Sequence, residues 1–241
     1  MNYVYFICIM IPALLSLFVL EKPSRLVFGC FLTGISICLF TSEANDILFG
    51  LIGESTDYFT TTISPVTEEI AKAIPILAIA FLMNERSDHP GTKDLVQRKT
   101  DGSQALKTKA VDFRKKIVQA SFAVGLGFAV MENITILTRV TPTDSVGVTW
   151  AFTRGLGAGL LHSVCTMAVG LGVSFVRTRK KFFYCGTLAL LMLAVTYHAI
   201  YNTIITSPWK NFGFALPLAT YIPILYLYIK KSSSNATTDM G

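Results

Sequence analysis

The chain is poor in charged residues, in cysteine and in histidine, and each shortage excludes a class of protein. Charged residues make up 15% of its 241 positions, against about 25% in soluble domains, and the mean hydropathy is +0.54. These values exclude an ordinary soluble domain. The five cysteines form no CxxC pair, which argues against a disulfide framework or a zinc knuckle. The three histidines form no HExxH motif, so the zincin spacing is absent.

Long apolar stretches are what the chain does have. Most approach the ~20 residues that cross a bilayer as a helix. They lie at residues 3–20, 26–41, 63–83, 117–138, 148–176, 182–206 and 212–229. The sequence therefore predicts an all-α, multi-pass protein of the cell membrane with about seven transmembrane helices. Met1 and Asn2 supply no basic region of a cleavable signal, so we expect the first stretch to remain as an anchor.

The positions of the basic residues indicate how these helices are oriented. Most of the 21 lysines and arginines lie in alternate loops, after the first, third, fifth and seventh stretches. By the positive-inside rule, this pattern predicts an N-terminus outside and a C-terminus in the cytoplasm. It also explains the net charge of +6 without nucleic acid as a partner. We expect one helical domain over residues 1–231, with a basic cytoplasmic loop at 84–116 and a disordered polar tail at 232–241.

Four of the predicted helices carry polar groups that are costly in lipid. One ionised side chain at bilayer depth costs about 2.5–3.5 kcal/mol, so such residues usually face the interior of a bundle and have a function there. Lys72 lies four residues after Glu68, and we expect it to neutralise that carboxylate in part. The costly groups are Glu68 and Glu69, Glu132, His162, and the pair His198 and Asn202.

These groups are predicted to lie near one level of the membrane. At about 1.5 Å per residue from the predicted outer helix ends, Glu68, Glu69, Glu132 and His198 lie roughly 8–12 Å deep. His162 lies deeper, at roughly 15–20 Å. We therefore expect a common site in the outer half of the membrane.

Carboxylates beside imidazoles support two kinds of hydrolytic chemistry. Two histidines and a carboxylate are ligands that bind Zn²⁺ and leave a position for water, and a further glutamate then acts as general base. Without a metal, a glutamate paired with a histidine activates water, while His198 and Asn202 donate hydrogen bonds to an oxyanion. The residues leave both routes open, and both routes hydrolyse a carbonyl bond.

Motifs at these same residues resemble those of the PrsW family of intramembrane proteases. Residues 67–72, TEEIAK, are similar to its EExxK motif, and residues 128–133, FAVMEN, to its FxxxEN element. His162 and His198 with Asn202 resemble its later histidine motifs. The wider grouping includes the prenyl-protein CAAX endopeptidases and the abortive-infection-type membrane proteins. Where the prenyl-protease branch has a histidine in FxxxH, this chain has Glu132, so the mechanism of that branch transfers less directly.

The resemblance implies an intramembrane endopeptidase that makes the first, extracytoplasmic cut in a membrane-anchored anti-sigma factor, as part of regulated proteolysis in a stress response. By the resemblance, Glu68 and Glu69 act as base or ligand. Glu132, His162 and His198 act as metal ligands or polarising groups, with Zn²⁺ as the expected ion. The implied partners are a single-span membrane protein and the lipid bilayer.

Two other functions would use the same residues. Buried glutamate and histidine chains also form proton relays in transporters and channels, although the sequence contains no paired half-repeats with broken helices. An inactive scaffold would instead bind single-span proteins through the glycine-rich faces of the fourth and fifth stretches.

Overall fold

Helices form all of the regular structure in the described part of the chain. The computed structural model describes Ile11 and residues 25–88, 102–139, 148–177 and 179–238, and it contains no strand within these ranges. A helix satisfies its backbone N–H and C=O groups within one segment, which hydrocarbon requires because it offers no hydrogen bonds. The predicted all-α class is confirmed.

Six long helices lie within the described ranges. Residues 56–63 form a short helical segment whose second half, Phe59–Ile63, is a π-turn that leads directly into the second long helix. Another π-turn, Phe182–Gly186, leads into the fifth. The long helices are α1 (Arg25–Ile52), α2 (Ser64–Asp88), α3 (Gly102–Arg139), α4 (Val148–Val173), α5 (Thr187–Thr206) and α6 (Ala215–Thr238).

Four stretches of helix are long and apolar enough to cross a membrane, and each overlaps a predicted segment. Helix α2 is not among them, in keeping with the three ionisable residues near its start, and α6 offers a shorter apolar stretch. The count of seven spans and the orientation stay predictions, and all of the stretch 3–20 except Ile11 lies outside the described residues. The four stretches are Leu26–Ile52, Val111–Leu137, Ala151–Val176 and Phe182–Thr206.

Several helices extend beyond the segments that the sequence predicts. Helix α1 ends at Ile52, whereas the predicted apolar stretch ends at residue 41. Helix α3 begins at Gly102, inside the predicted loop 84–116, and α6 continues to Thr238, into the predicted polar tail. The part of α3 within the predicted loop contains four lysines and two alanines and has no proline, so good helix formers extend the helix beyond the apolar region. The predicted domain bounds themselves stay predictions.

Helices α3 and α4 form the centre of the bundle. Most residues of Val111–Leu137 and Ala151–Val176 are buried, whereas only a minority of those in Leu26–Ile52 and Phe182–Thr206 are. The exposed residues on these outer helices include large apolar side chains such as Phe40. An apolar outer surface around a partly polar interior is the arrangement expected of a bundle in lipid.

Glycines bring the central helices into backbone contact. A Cβ atom on Gly125 of α3 would collide with the His162 carbonyl of α4. On the other side of α3, a Cβ on Gly34 of α1 would collide with the Val124 carbonyl, and one on Gly127 with the Phe31 carbonyl. Small residues allow such close approach of helices in membranes. The contact at His162 also places that histidine directly against α3.

We expect Gly34→Ala to destabilise the protein, because its added methyl group would collide with the backbone of Val124 and Phe128. Overpacking of this kind costs about 1–3 kcal/mol. Gly29→Ala on the same helix is the matched control, since a Cβ there meets nothing within 4 Å and alanine favours a helix over glycine by about 1 kcal/mol. Thermal unfolding in detergent measures both variants. Equal melting temperatures would contradict the close contact of α1 with α3.

Candidate active site

Polar residues from four helices meet inside the bundle. Glu68 and Glu69 come from the start of α2, Glu132 from α3, His162 from α4 and His198 from α5. All are buried except Glu132, whose side chain is 23% exposed. The structure therefore brings five of the six residues singled out in the sequence into one group. Their contacts define which atoms remain available for chemistry.

Glu69 joins a lysine and a histidine. Its Oε1 atom accepts a hydrogen bond from Lys72 Nζ at 2.7 Å and lies 2.8 Å from His198 Nδ1. A carboxylate paired with an ammonium group only accepts, so His198 donates through Nδ1 and its Nε2 carries the lone pair in the neutral ring. The direct partner of Lys72 is thus Glu69, three residues back, rather than Glu68 as the spacing predicts.

Lys72 also contacts His162, and this contact determines the tautomer of the second imidazole. Lys72 Nζ lies 2.8 Å from His162 Nδ1, and His162 Nε2 lies 2.8 Å from Glu132 Oε2. An ammonium group has donors only, so Nδ1 accepts and Nε2 donates to Glu132. Two carboxylate–imidazole pairs therefore lie side by side, with ring centroids 4.9 Å apart and nearly perpendicular planes.

Glu68 and Glu69 each have one buried oxygen, Oε2, without a hydrogen-bond partner within the described residues, and that of Glu68 lies beside the free nitrogen of His198. The Oε1 atom of Glu68 accepts a hydrogen bond of 2.5 Å from Ser64 Oγ. Its Oε2 atom is buried without a hydrogen bond and lies 3.9 Å from His198 Nε2. A buried carboxylate oxygen without a partner is costly, so its position calls for a ligand or a reacting group.

Three residues of this group have the arrangement of a metal site. One ligand atom each from Glu68, His162 and His198 lies within 4.8 Å of the others, and all three residues are buried. Two imidazoles and one carboxylate are the protein ligands of many catalytic zinc sites, in which the fourth position takes water or substrate.

Comparison with known proteins agrees with this chemistry. The family model described as PrsW family intramembrane metalloprotease matches residues 22–228. The chain belongs to this family. It is accordingly a protease of the membrane, and its several apolar helices fit a multi-pass membrane protein. No curated protein and no solved structure matches it.

The residues present fit the metal that the family name implies. Two zinc ligands at about 2.0–2.1 Å in tetrahedral geometry lie about 3.4 Å apart, close to the 3.9 Å that separates Glu68 Oε2 from His198 Nε2. The buried Glu68 oxygen lacks any other partner among the described residues. His162 would supply Nδ1 by exchanging its hydrogen bond to Lys72, while Glu69 and Glu132 would hold the two rings from behind, as outer carboxylates do in zinc sites.

Asn202 forms its hydrogen bond to the backbone of a neighbouring segment. Its Nδ2 atom donates a hydrogen bond of 2.9 Å to the Thr60 carbonyl. Thr60 belongs to the π-turn Phe59–Ile63, which immediately precedes α2. Asn202 therefore ties α5 to the segment that carries Glu68 and Glu69. Its predicted role as a donor to an oxyanion stays a prediction.

Arg154 is a member of the polar group that we did not single out in the sequence. Its Nη2 atom lies 2.5 Å from Glu132 Oε1, and its Nε donates to Asn133 Oδ1 at 3.1 Å. The available signal was its charge within an apolar stretch, which has the same cost in lipid as that of Glu132. Arg154 gives Glu132 a permanent counterion.

A cavity of about 390 Å³ leads to Glu68 and Glu132. It lies between α1, the segment 56–63 and the second half of α3, beyond the point where Gly34 holds α1 against α3. Its wall is mostly apolar, with hydroxyl groups of serine and threonine and the amide of Asn45 among the apolar groups, and these could bond to the backbone of a peptide. The lining residues are Cys38, Thr41, Ser42, Asn45, Asp46, Phe49, Thr56, Phe59, Thr60, Ser64, Glu68, Phe128, Glu132, Thr135 and Ile136.

We expect Arg154→Leu to destabilise the protein strongly, because it leaves Glu132 without its cation in a largely buried site. Breaking one partner of a buried pair costs about 3–5 kcal/mol. Lys116→Leu is the matched control, since it breaks an exposed pair with Asp112, and such pairs contribute about 0–1 kcal/mol. Denaturant unfolding of both variants measures the difference. An equal loss of stability in the two would contradict the structural importance of the Arg154 ion pair.

Proposed function

We propose that this protease hydrolyses a peptide bond of a single-span membrane protein near the predicted extracytoplasmic surface, with water activated between Glu68 and His198. The observation that supports this most directly is the Glu68 Oε2 atom, which is buried 3.9 Å from His198 Nε2 at the edge of this cavity. Both atoms are acceptors, so the position between them suits either a metal ion that carries the attacking water or, without a metal, a water molecule that donates a hydrogen bond to each.

The two carboxylate–imidazole pairs prepare this position. Glu69 keeps the proton of His198 on Nδ1, which leaves Nε2 to act as ligand or base. Glu132 keeps the proton of His162 on Nε2, which leaves the lone pair of that ring on Nδ1. We assign Glu68, His162 and His198 to the metal, and Glu69 and Glu132 to the support of the rings. In this assignment Glu68 is a ligand, one of the two roles that the resemblance implies for it, and Glu132 supports an imidazole instead of binding the metal.

A bound Zn²⁺ would polarise the scissile carbonyl and make the attacking water a better nucleophile. The chain's own groups perform the remaining steps. The water oxygen forms a bond to the carbonyl carbon as its proton passes to a carboxylate or imidazole of the group. The same proton then passes to the amide nitrogen as the C–N bond breaks, which yields a carboxylic acid and an amine. The acid then loses its proton and becomes a carboxylate.

We propose an anti-sigma factor as the type of substrate, with this cut as the first of regulated proteolysis in a stress response. The support is the match to the PrsW family together with the predicted depth of the polar residues, about 8–12 Å from the outer ends of their helices. Family membership gives no support to the alternatives of a transporter, a channel or an inactive scaffold.

We expect Glu68→Gln and His198→Ala each to slow cleavage by a factor of about 100 or more, the usual effect of removing a group that transfers protons. Single-span proteins that the wild-type protein cleaves on co-expression serve as substrates in reconstituted vesicles, and the rate of product formation is measured. Glu43→Gln on the exposed face of α1 is the matched control. Wild-type rates in the Glu68 and His198 variants would place the active site elsewhere.

We expect the purified protein to bind one Zn²⁺ ion, and His162→Ala and His198→Ala to bind none at the same concentration. Chelation should abolish cleavage, and added Zn²⁺ should restore it, because the ion is needed to polarise the carbonyl. Elemental analysis beside the cleavage assay checks both statements. Cleavage that persists in metal-free protein would contradict the metal and leave Glu68 and His198 acting on water directly.

A further inference from the structure

We infer that Asn45 of α1 is a positioning residue for Glu68 and acts on it through the hydroxyl group of Ser64. This inference rests on the proposed function, in which Glu68 is the carboxylate at the reacting centre. Asn45 lies beyond the end of the apolar stretch 26–41, and it does not belong to the motifs of the sequence analysis. In the structure it lines the cavity and bonds to the start of α2.

Two hydrogen bonds through Ser64 connect Asn45 to Glu68, and a third holds the Asn45 amide in place. Asn45 Nδ2 donates to Ser64 Oγ at 3.1 Å, and Ser64 Oγ donates to Glu68 Oε1 at 2.5 Å. Thr67 Oγ1 donates to Asn45 Oδ1 at 2.5 Å, which holds the amide group in one orientation. Ser64 is thus a hydrogen-bond partner of both Asn45 and Glu68. Thr67 holds the side-chain amide of Asn45 through its oxygen atom.

The direction of these bonds follows from the number of protons available. A serine hydroxyl group has one proton, and an ionised carboxylate can only accept, so Ser64 must donate to Glu68. The oxygen of Ser64 is then left as an acceptor for an N–H group of Asn45. If residue 45 had no donor, the serine proton would be free to turn toward residue 45 instead.

As a consequence, the two oxygens of Glu68 have different partners. The bond from Ser64 holds Oε1 on the side of α1, and Oε2 then faces His198 Nε2 at 3.9 Å. Outer groups that orient a ligand in this way change metal affinity by about 10–100-fold when they are removed. Asn45 therefore contributes to the geometry of the metal position without touching it.

Asn45→Asp provides the sharpest test, because aspartate keeps the shape of asparagine and the acceptor for Thr67 but loses the N–H donor. We expect Zn²⁺ to bind about 10-fold or more weakly to Asn45→Asp than to the wild type in competition with a chromophoric chelator. An added negative charge acting only through Coulomb attraction would strengthen cation binding. Wild-type or tighter binding by Asn45→Asp would therefore overturn the inference.

Two variants of Ser64 test the middle of the connection. Ser64→Ala removes the hydroxyl group and should weaken Zn²⁺ binding as much as Asn45→Asp does. Ser64→Thr keeps the hydroxyl group and should bind within about threefold of the wild type. Ser36→Ala is the matched control on α1, because its hydroxyl group donates to the Leu32 carbonyl on an exposed face. Equal affinities of Ser64→Ala and wild type would overturn the inference.

A second measurement tests the connection from Asn45 to Glu68 without Zn²⁺. If the wild type binds no Zn²⁺, the proposed metal site is wrong, but the hydrogen bonds can still be tested. Asn45→Ala and Glu68→Gln are combined in a double-mutant cycle on unfolding in detergent. Residues in one hydrogen-bond network couple, so we expect at least about a threefold interaction in the unfolding constant. This interaction should vanish in a Ser64→Ala background. Additive effects of the first two substitutions would overturn the inference.

Discussion

The whole polar interior depends on one buried ammonium group. Lys72 is fully buried, and its Nζ atom contacts both Glu69 and His162. An unpaired ammonium group at that depth would be several kilocalories per mole too costly to keep, so α2 must stay where the carboxylate and the imidazole meet it. Phe128 of α3 completes the enclosure, with its ring centroid 4.6 Å from Nζ. Because Lys72 requires partners on α2 and α4, it determines how α2 sits against the centre of the bundle.

Close packing makes this arrangement possible. The glycine contacts of α3 with α1 and α4 put backbones together where larger side chains would separate them. Gly125 meets the backbone of His162 itself, so the depth of that imidazole is set by a contact of main chains. The polar group is therefore held from two sides, by ion pairs among its members and by helix contacts just below them. A small shift of α3 would change both sets of contacts.

The sequence predicted the members of the site better than their pairing. Ionisable residues in apolar stretches, such as Glu132 and His162, can be recognised in the sequence because they are costly in lipid. Recognising them requires no knowledge of the fold. The sequence does not determine whether Lys72 pairs with Glu68 or with Glu69. These two residues lie on neighbouring faces of α2, and the pairing depends on which face turns toward the interior of the bundle. Asn45 gave no such signal. It lies after the predicted apolar stretch 26–41, in what the sequence predicts to be an outer loop. In the structure α1 continues to Ile52, and Asn45 on this helix bonds to Ser64.

Glu68 has a further consequence when the charges of the group are compared. Three carboxylates, Glu68, Glu69 and Glu132, face two permanent cations, Lys72 and Arg154, which contact Glu69 and Glu132 respectively. The excess negative charge therefore falls on Glu68, whose contacts in the described part of the chain are with neutral groups or an imidazole. A cation or a proton is attracted to this position. Without a metal this charge would repel an aspartate or glutamate of an incoming polypeptide, whereas one bound divalent cation would make the sum of the charges positive and attract such a residue.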